Sequence, residues 1–375
     1  MTDLPLDGVR VLEIAPGYSA GFAGRLLAGF GADVVVAGEP RDLTDDEQVW
    51  LLAGKRRVAA ASFADIRPLA LAADIVLVDW RLPSPPAPLP TSRERGVSDP
   101  ASDVLVNAAE VLRERRDVIV VSITPFGQSG PHADYEATNL IAFAMGGIVS
   151  LTGHESREPL VTGGNQAYAL GGLNAFSATL AAYYGMLVHG EGDWIDISLQ
   201  ECSAAMLELY GPGSAFTGMG ASPRRGNHLR AVWGIYPCAD GWAGVCCLER
   251  QVPAFFRLLD DPVLAEERFA DPTLRAENDD ELSAMVYAWF AGKTKADILQ
   301  LGPEHRVPFG VVMTPGDLLA NDSLAERGFF DTVQTRDGAA RIPGRPFEGL
   351  GWRGARPPQR VDVAGVAREW SEATP

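Results

Sequence analysis

The sequence predicts an α/β protein with a large doubly wound domain, built on a parallel sheet, and a second, smaller α/β domain. Runs rich in Val, Ile and Leu alternate with helical patterns in the first half, which is typical of βαβ units. A chain of 375 residues is long enough for two domains. Near Ser222 the pattern changes to a loop and a hairpin, so we expect the large domain at 1–215 with 316–375 and the smaller one at 222–315.

The first half contains four predicted strands. GVRVLEIAP begins at Gly8 and is followed by a helical pattern from Gly21 to Phe30 and by a second buried run, ADVVVAGEP. A strand, helix and strand in this order imply a parallel pair. Two further strands are predicted in AADIVLVDW, from Ala72, and DVIVVSITPFG, from Asp117, with a crossover helix from Asp103 to Arg116.

The stretch from Thr138 to His189 consists mainly of small and apolar residues, and its second part predicts a helix that ends at Gly190. Paired glycines at 146–147 and 171–172 would let backbones approach closely. A helix that is apolar on every side predicts burial between domains or between subunits. A short strand and another helix follow in GDWIDISLQECSAAMLELYG.

The smaller domain begins with a hairpin, in which IYPCA and WAGVCC flank a turn at Asp240–Gly241. Helical patterns then run from Gln251 to Leu259 and from Glu281 to Leu301. RVPFGVVMTPGDLLAND predicts a strand, a turn and a helix that lead back to the large domain. The last segment, from Gly344 to Pro375, contains several Pro and Arg residues and predicts irregular structure.

Composition and charge exclude several classes of function. The formal net charge of −17 disfavours nucleic acid and anionic membranes as partners. No apolar run reaches the roughly 20 residues of a membrane helix, and the first residues lack the features of a signal peptide, so we expect a cytoplasmic protein. The four cysteines and five histidines lack metal-ligand spacing, so we predict no metal and no disulfide framework.

A doubly wound domain often binds a dinucleotide, but the glycine pattern argues against this here. GYSAGFAG follows the first strand, and Tyr18 to Ala20 stand where GxGxxG requires its second glycine. A nicotinamide-dependent oxidoreductase is therefore the least favoured hypothesis, and we predict no NAD.

Six segments in sequence order resemble the family III CoA-transferase superfamily, which includes carnitine CoA-transferases, formyl-CoA transferases and α-methylacyl-CoA racemases. They are LPLDGVRVLEIAP with AGFGADVVVAGEP, GKRRVA, VSITPFGQSGP, MGGIVSLTG, GEGDWIDISLQE and VPFGVVMTPGDLLANDSLAERGFF. The resemblance implies a Rossmann-like large domain built from both chain ends, a smaller central domain and an interlocked dimer. It also implies an acyl-CoA substrate. The dimer is expected to be a homodimer, with a heteromer formed with a paralogue as the alternative.

The resemblance also implies an aspartate nucleophile, but this sequence lacks it. The matching position falls on Tyr168, or on Ala167 after a shift by one, and no carboxylate lies between Pro159 and Gly190. The racemase branch adds a His base, whose position falls near Thr138 or Asn139. Its Glu base matches Glu249, because VCCLERQ resembles the segment VGAIEPQ.

Three functions follow from this resemblance. In the first, a CoA-transferase-like enzyme works by a modified mechanism in which the Tyr168 phenol donates a hydrogen bond to a carbonyl or enolate oxygen. In the second, Glu249 removes the α-proton of an acyl-CoA as a racemase, isomerase or lyase, for which a buried carboxylate is expected. The third is a non-catalytic subunit paired with an active paralogue.

Candidate CoA-binding residues fall into three groups. Basic residues near the second strand are expected to contact nucleotide phosphates, and an aromatic residue at a strand end would stack on adenine; these are Lys55, Arg56 and Trp80. The turn after the fourth strand is expected to hold ligand at the carboxyl edge of the sheet through Phe126, Gly127 and Gln128. The loop SPRRGN could bind CoA phosphates or an acyl carboxylate through Arg224, Arg225 and Asn227.

Overall fold

The computed structural model describes residues 4–14, 16–40, 42–60, 63–79, 115–207, 213, 215–216, 224 and 226–372. They divide into a larger unit, Met1–Val149 with Val161–Gly218 and Asp322–Pro375, and a smaller unit, Ser150–Leu160 with Met219–Asn321. Residues 150–160, which the sequence analysis placed in the large domain, group with the smaller unit. Backbone hydrogen bonds explain this, because Glu155 N donates to Arg224 O and Gly226 N donates to Gly153 O.

The described strands belong to three sheets. In chain order they are β1 (Arg10–Ile14), β2 (Asp33–Ala37), β3 (Arg56–Val58), β4 (Ile75–Val78), β5 (Ile119–Thr124), β6 (Trp194–Ser198), β7 (His228–Arg230), β8 (Trp233–Cys238), β9 (Gly241–Cys246), β10 (Phe309–Val311), β11 (Phe330–Thr335), β12 (Gly338–Pro343) and β13 (Gln359–Arg360).

The sheet of the larger unit has seven strands in the order β13-β3-β2-β1-β4-β5-β6, and all of its pairs are parallel. The chain winds outward from β1 to β3 on one side and from β4 to β6 on the other. This arrangement confirms the predicted doubly wound domain. The direction of winding reverses between β1 and β4, and ligands of such sheets bind outside the carboxyl ends of the strands at that point.

Helices complete the two units. They are α1 (Tyr18–Gly29), α2 (Asp45–Leu51), α3 (Phe63–Ala72), α4 (Asn139–Met145), α5 (Gln166–His189), α6 (Leu199–Ala204), α7 (Val252–Leu259), α8 (Glu267–Ala270), α9 (Pro272–Glu277), α10 (Asp279–Ala291), α11 (Lys295–His305), α12 (Pro315–Leu319), α13 (Asp322–Glu326) and α14 (Val363–Glu372), with 3-10 turns at Ile148–Leu151, Glu249–Gln251 and Pro262–Ala265.

Helices cover both faces of the parallel sheet, since its buried strands carry apolar residues on each side. On one face α1, α4, α5 and α6 share a core with alternate strand residues, which include Val11 and Val121. On the other face α3 and α14 pack against Leu12 and Val120. The parallel strands therefore read as continuous apolar runs in the sequence.

Close packing of α5 against α1 depends on a missing side chain. A Cβ at Gly172 would lie 2.7 Å from the Ser19 carbonyl oxygen and 3.0 Å from Phe22 Cβ. The predicted role of the paired glycines in close backbone approach is confirmed at this pair. The contact fixes the second turn of α5 beside the start of α1.

The smaller unit is built on a four-stranded antiparallel sheet in the order β10-β9-β8-β7. The predicted hairpin is confirmed, because β8 and β9 pair across the turn at Asp240–Gly241. Tyr236, Phe255 and Phe290 lie in a core between this sheet and α7, α10 and α11. None of the helices in the described part of the chain combines the length and apolar character that a bilayer crossing requires.

Three predictions of secondary structure need correction or lie outside the described residues. The segment from Gly344 to Pro375 is not irregular throughout, because Val366 and Trp370 have helical spacing and bury one face of α14. The single helix predicted from Glu281 to Leu301 is two, since Thr294 caps a new helix. The predicted helix from Asp103 to Arg116 lies almost entirely outside the described residues.

A buried ion pair ties the C-terminal segment to α1. The Arg25 side chain is 2% exposed, and its Nη2 donates to Asp331 Oδ2 at 2.8 Å. The same carboxylate oxygen accepts from the Trp352 indole N–H at 3.1 Å and from Ala355 N at 3.0 Å. Asp331 therefore satisfies three donors from two separate segments of the larger unit, α1 and residues 352–355.

Replacing Asp331 by Ala should lower the free energy of unfolding by about 2–3 kcal/mol, because a buried guanidinium and an indole N–H lose their acceptor. Denaturant unfolding monitored by tryptophan fluorescence would measure the change. Asp337→Ala, in the exposed turn between β11 and β12, is the matched control and should change it by less than about 0.5 kcal/mol. Equal effects of the two variants would contradict the assignment.

Candidate functional site

The N-terminus of α1 lies at the point where the winding of the sheet reverses. Asp79 follows β4, and its Oδ2 accepts from Ala20 N in the first turn of α1 at 2.9 Å. A Cβ at Gly17, the residue before α1, would lie 2.9 Å from the same oxygen. A helix N-terminus at this position often binds phosphate. Here a carboxylate of the protein occupies it, so a dinucleotide phosphate would have to displace Asp79.

Tyr168 lies in the first turn of α5, where an asparagine from another helix provides the cap. Asn139 Oδ1 accepts from Ala167 N at 2.9 Å and from Tyr168 N at 3.3 Å, and Asn139 Nδ2 donates to Gly164 O at 3.3 Å. This interaction satisfies backbone donors that the residue before α5 leaves uncapped. Asn139 thus positions the helical turn that carries Tyr168.

Four half-buried aromatic side chains form a continuous surface that we call the aromatic shelf: Tyr18, Phe22, Trp50 and Tyr168. The ring centroids are 6.3 Å apart for Tyr18 and Tyr168, 6.0 Å for Tyr18 and Trp50, and 5.2 Å for Phe22 and Trp50. These separations are typical of favourable aromatic pairs. Only Tyr168 in this group was predicted from the sequence, because the rings come from α1, α2 and α5.

Burial raises the pKa of the Tyr168 phenol, and the carboxylates of Asp79 and Asp42 raise it further. Burial likewise raises the pKa of Tyr18, with a contribution from Glu47. Since an unperturbed phenol already titrates near ~10, both hydroxyls are protonated at neutral pH. Tyr168 is therefore equipped to donate a hydrogen bond and is a poor nucleophile.

Lys55 does not contact solvent, and its predicted role in binding phosphate is wrong. Its side chain is fully buried, and Nζ donates to Glu13 Oε1 at 2.6 Å and to the Gly21 carbonyl oxygen at 2.9 Å. Burial raises the pKa of Glu13 to about 7, although Lys55 opposes this shift. The ion pair lies against α1, and the bond from Lys55 to the Gly21 carbonyl oxygen holds the first turn of this helix.

The guanidinium of Arg56 reaches the amino end of the neighbouring strand β2, and the phosphate role predicted for it stays a prediction. It is the first residue of β3, and its guanidinium pairs with Asp33, the first residue of β2. Its Nη1 donates to Glu369 Oε2 at 2.6 Å. Ligands of such sheets bind at the opposite, carboxyl edge. Trp80, the predicted adenine contact, lies outside the described residues.

The turn after β5 lies at the carboxyl edge, as the sequence indicated. Gly127 has a φ of 81°, and Gln128 N donates to Asp196 Oδ2 at 2.8 Å. Phe126 is buried, and its ring centroid lies 5.7 Å from that of His132. Within the described part of the chain, the buried Gln128 Oε1 has no hydrogen-bond partner. The role of this turn in holding ligand stays a prediction.

The basic loop of the smaller unit is partly engaged in holding its own fold. Arg224 Nη2 donates to the Arg157 carbonyl oxygen at 2.8 Å, and the Asn227 carbonyl oxygen accepts from Ile235 N at 2.9 Å. Arg225 lies outside the described residues. A role of this loop in binding phosphate or carboxylate stays a prediction.

Glu249 begins the 3-10 turn after β9 in the smaller unit. Its Oε2 pairs with Arg275, whose side chain is buried, and its Oε1 lies 3.5 Å from Arg230 Nη1. The Glu249 side chain is 47% exposed, so the buried setting expected for a base is absent. Glu249 also borders a cavity of about 840 Å³ with apolar walls that include Val252 and Phe256.

Comparison with known proteins decides the family. The sequence profile of CoA-transferase family III matches residues 102–360, well over half of the chain. The chain belongs to CoA-transferase family III. A probable CoA-transferase of Mycobacterium tuberculosis is 29% identical over 89% of this chain and 43% of its own length. The succinate–glutarate CoA-transferase of Agrobacterium fabrum is 27% identical over 92% of this chain and 90% of its own length.

The fold of this family III protein matches that of a solved structure. The crystal structure of a CAIB/BAIF family protein from Brucella suis aligns with a TM-score of 0.81, covering 98% of this chain and 100% of that chain at 24% identity. The likeness shows a shared fold. The predicted fold class is thereby confirmed, and the profile match confirms the predicted family.

The structure brings Tyr168 together with groups that the sequence analysis did not assign to the site: Asn139, Asp79 and the rings of the aromatic shelf. Only Asn139 left a signal in the sequence, because it falls near the position of the racemase base. In the part of the family III chain that the structure describes, no group of three or more His, Cys, Asp or Glu side chains is placed to hold a metal ion.

Proposed function

We propose that this family III protein binds an acyl-CoA thioester and that Tyr168 donates a hydrogen bond to the thioester carbonyl oxygen instead of attacking it. The proposal rests on the position of Tyr168. Its protonated phenol lies in the first turn of α5, where the resemblance assigns the nucleophilic aspartate. A phenol cannot readily form the acyl anhydride that begins transfer by an aspartate. Its hydroxyl is suited to stabilise negative charge that develops on a carbonyl oxygen.

The N-terminal turn of α5 supports this role. The helix dipole favours negative charge at this end. Asn139 holds the turn in place through its bonds to Ala167 N and Tyr168 N. The protein then handles a CoA thioester as other transferases of the family do, but by a mechanism without an aspartyl intermediate.

Two alternatives differ in where the chemistry occurs. Removal of an α-proton by Glu249 is the weaker one, since Arg275 and Arg230 both hold its carboxylate. A non-catalytic subunit is favoured by one observation: no Asp or Glu lies between Pro159 and Gly190. In that case an active paralogue would supply the nucleophile, and this chain would bind the thioester or stabilise the complex.

We further propose that a second protomer covers the outer face of α5. Leu173, Leu187 and Val188 on this face are 47%, 67% and 57% exposed in the single chain. An apolar face of this kind indicates a protein contact. The resemblance implies an interlocked dimer, either of two copies or of this chain with a paralogue.

Calorimetric titration with acetyl-CoA and with CoA tests the proposed binding. Tyr168→Phe should weaken the binding of acetyl-CoA by about 5–30-fold, which corresponds to one hydrogen bond of about 1–2 kcal/mol. Binding of CoA, which lacks the carbonyl, should change little. Mass spectrometry should detect no covalent CoA adduct on the parent protein.

Tyr287→Phe is the matched control, since Tyr287 lies in α10 of the smaller unit with its side chain 39% exposed. It should leave both affinities unchanged. Absence of any heat with CoA and with acetyl-CoA would contradict the proposed function.

A further inference from the structure

We propose that the acyl group bound at this site is an uncharged aromatic or bulky apolar group and not a dicarboxylate. The inference rests on the proposed function, because it assumes that a thioester carbonyl meets Tyr168. It goes further by naming the chemical class of the acyl group. The aromatic shelf and the negative charges around it favour such a group.

The rings of the aromatic shelf are connected to Tyr168 by successive contacts. Tyr18 links the ring of Tyr168 to that of Trp50, with centroid separations of 6.3 and 6.0 Å, and the Phe22 centroid lies 5.2 Å from that of Trp50. All four side chains are only half-buried, so each ring keeps open surface after packing against its neighbours. An acyl group whose carbonyl is held by Tyr168 would lie along this surface.

Carboxylates surround the aromatic shelf. Glu47 Oε1 accepts from Asn165 Nδ2 at 2.5 Å, immediately before α5. Asp79 lies at the N-terminus of α1, and Asp42 acts electrostatically on the phenol of Tyr168. A second carboxylate on the acyl group would meet like charges here, while an uncharged ring would not.

The described cations near the aromatic shelf in sequence are held by carboxylates. Arg25 pairs with Asp331 at 2.8 Å, Lys55 with Glu13 at 2.6 Å and Arg57 with Glu39 at 2.7 Å. In the described ranges, the ring contacts and hydrogen bonds of the four shelf residues involve no lysine or arginine. Recognition of a dicarboxylate usually relies on a bidentate arginine. The Agrobacterium fabrum relative is named for two dicarboxylates, succinate and glutarate. The acyl group proposed for this protein therefore differs in charge from those in the name of that relative.

Titrations with benzoyl-CoA, acetyl-CoA, succinyl-CoA and CoA test the inference. Benzoyl-CoA should bind at least about 10-fold more tightly than acetyl-CoA, through ring contacts and apolar burial. Succinyl-CoA should bind no more tightly than acetyl-CoA. Trp50→Leu, which keeps an apolar side chain in α2, should reduce the preference for benzoyl-CoA by about 3–10-fold. Asp42→Asn should strengthen succinyl-CoA binding and leave benzoyl-CoA binding unchanged.

Trp242→Leu, at an exposed tryptophan of the smaller unit, is the control and should leave every affinity unchanged. Circular dichroism would show whether Trp50→Leu folds, and Asp42→Asn provides an independent test if it does not. If the CoA esters bind but benzoyl-CoA shows no advantage over acetyl-CoA, or succinyl-CoA binds most tightly, this inference is wrong and the proposed function stands. If no CoA ester binds, the proposed function itself fails.

Discussion

Replacing Lys55 by Met should lower the free energy of unfolding by about 3–5 kcal/mol at pH 8, and by clearly less near pH 5. The ammonium group is fully buried and holds the Glu13 carboxylate in the core, where Glu13 Oε2 has no other described hydrogen-bond partner. Met keeps the length of the side chain but leaves an isolated carboxylate, which is the costly outcome when one partner of a buried pair is removed. The loss of the bond to the Gly21 carbonyl oxygen adds to this cost.

The pH dependence follows from the direction of the shift at Glu13. Burial raises its pKa from the ordinary 4.5 to about 7, so between these values the native state binds a proton that the unfolded state releases. The contribution of Glu13 to the free energy of unfolding is therefore full below about pH 4.5 and is lost as the pH rises toward 7. Without Lys55 the pKa of Glu13 rises further, which extends the loss to higher pH. Urea unfolding at pH 5 and pH 8 would measure the difference.

Two variants control this experiment. Arg67→Met removes a cation from the exposed face of α3 and should change the stability by less than about 0.5 kcal/mol. The double variant Glu13→Gln with Lys55→Met should recover much of the loss, because no buried charge remains. A penalty for Lys55→Met that is the same at both pH values would show that the ion pair is not the cause.

Lys55 and Arg56 show what a sequence can and cannot predict about a site. Both were expected to bind phosphate because they are basic residues in an acidic chain. The neighbouring strands β1, β2 and β4 were predicted, because strands buried on both faces read as apolar runs. Strand β3, which begins at Arg56, was not predicted, because RRV is not such a run. A basic residue beside a buried strand gives no indication of whether its partner is a ligand or another side chain. Here the partners, Glu13, Asp33 and Glu369, lie 42, 23 and 313 positions away.

The composition of the site was predictable only in part, for a related reason. Tyr168 was found because glycines and the turn at Gly190 fix the position of α5 in the sequence. The aromatic shelf escaped prediction, because its rings come from α1, α2 and α5 and share no local period. Helix α14 was missed because the Pro- and Arg-containing stretch before it hid the spacing of Val366 and Trp370. In each case the missing information is contact between distant segments.

Replacing Tyr168 by Asp should give the protein the ability to form a covalent adduct with CoA. The new carboxylate would lie in the first turn of α5, where the helix dipole favours negative charge. It could then attack a thioester carbonyl, and the released CoA thiolate could attack the resulting anhydride to form an aspartyl-CoA thioester. A catalytic nucleophile contributes on the order of 10⁴–10⁶-fold in rate, so partial recovery would still be detectable. Mass spectrometry of the intact protein after incubation with an acyl-CoA would measure the adduct.

The neighbours of Tyr168 predict how the yield of this adduct depends on conditions. Asp79 and Asp42 raise the pKa of the present phenol, and the same carboxylates would disfavour an ionised aspartate at this position. Adduct formation should therefore increase with pH, and adding Asp42→Asn should increase it further at neutral pH. Tyr168→Asn, which is similar in size but lacks a nucleophile, should form no adduct. Equal labelling of the Asp and Asn variants, or none in the Asp variant despite tight acyl-CoA binding, would show that residue 168 does not face the thioester. The assignment of this position to the missing nucleophile would then be wrong.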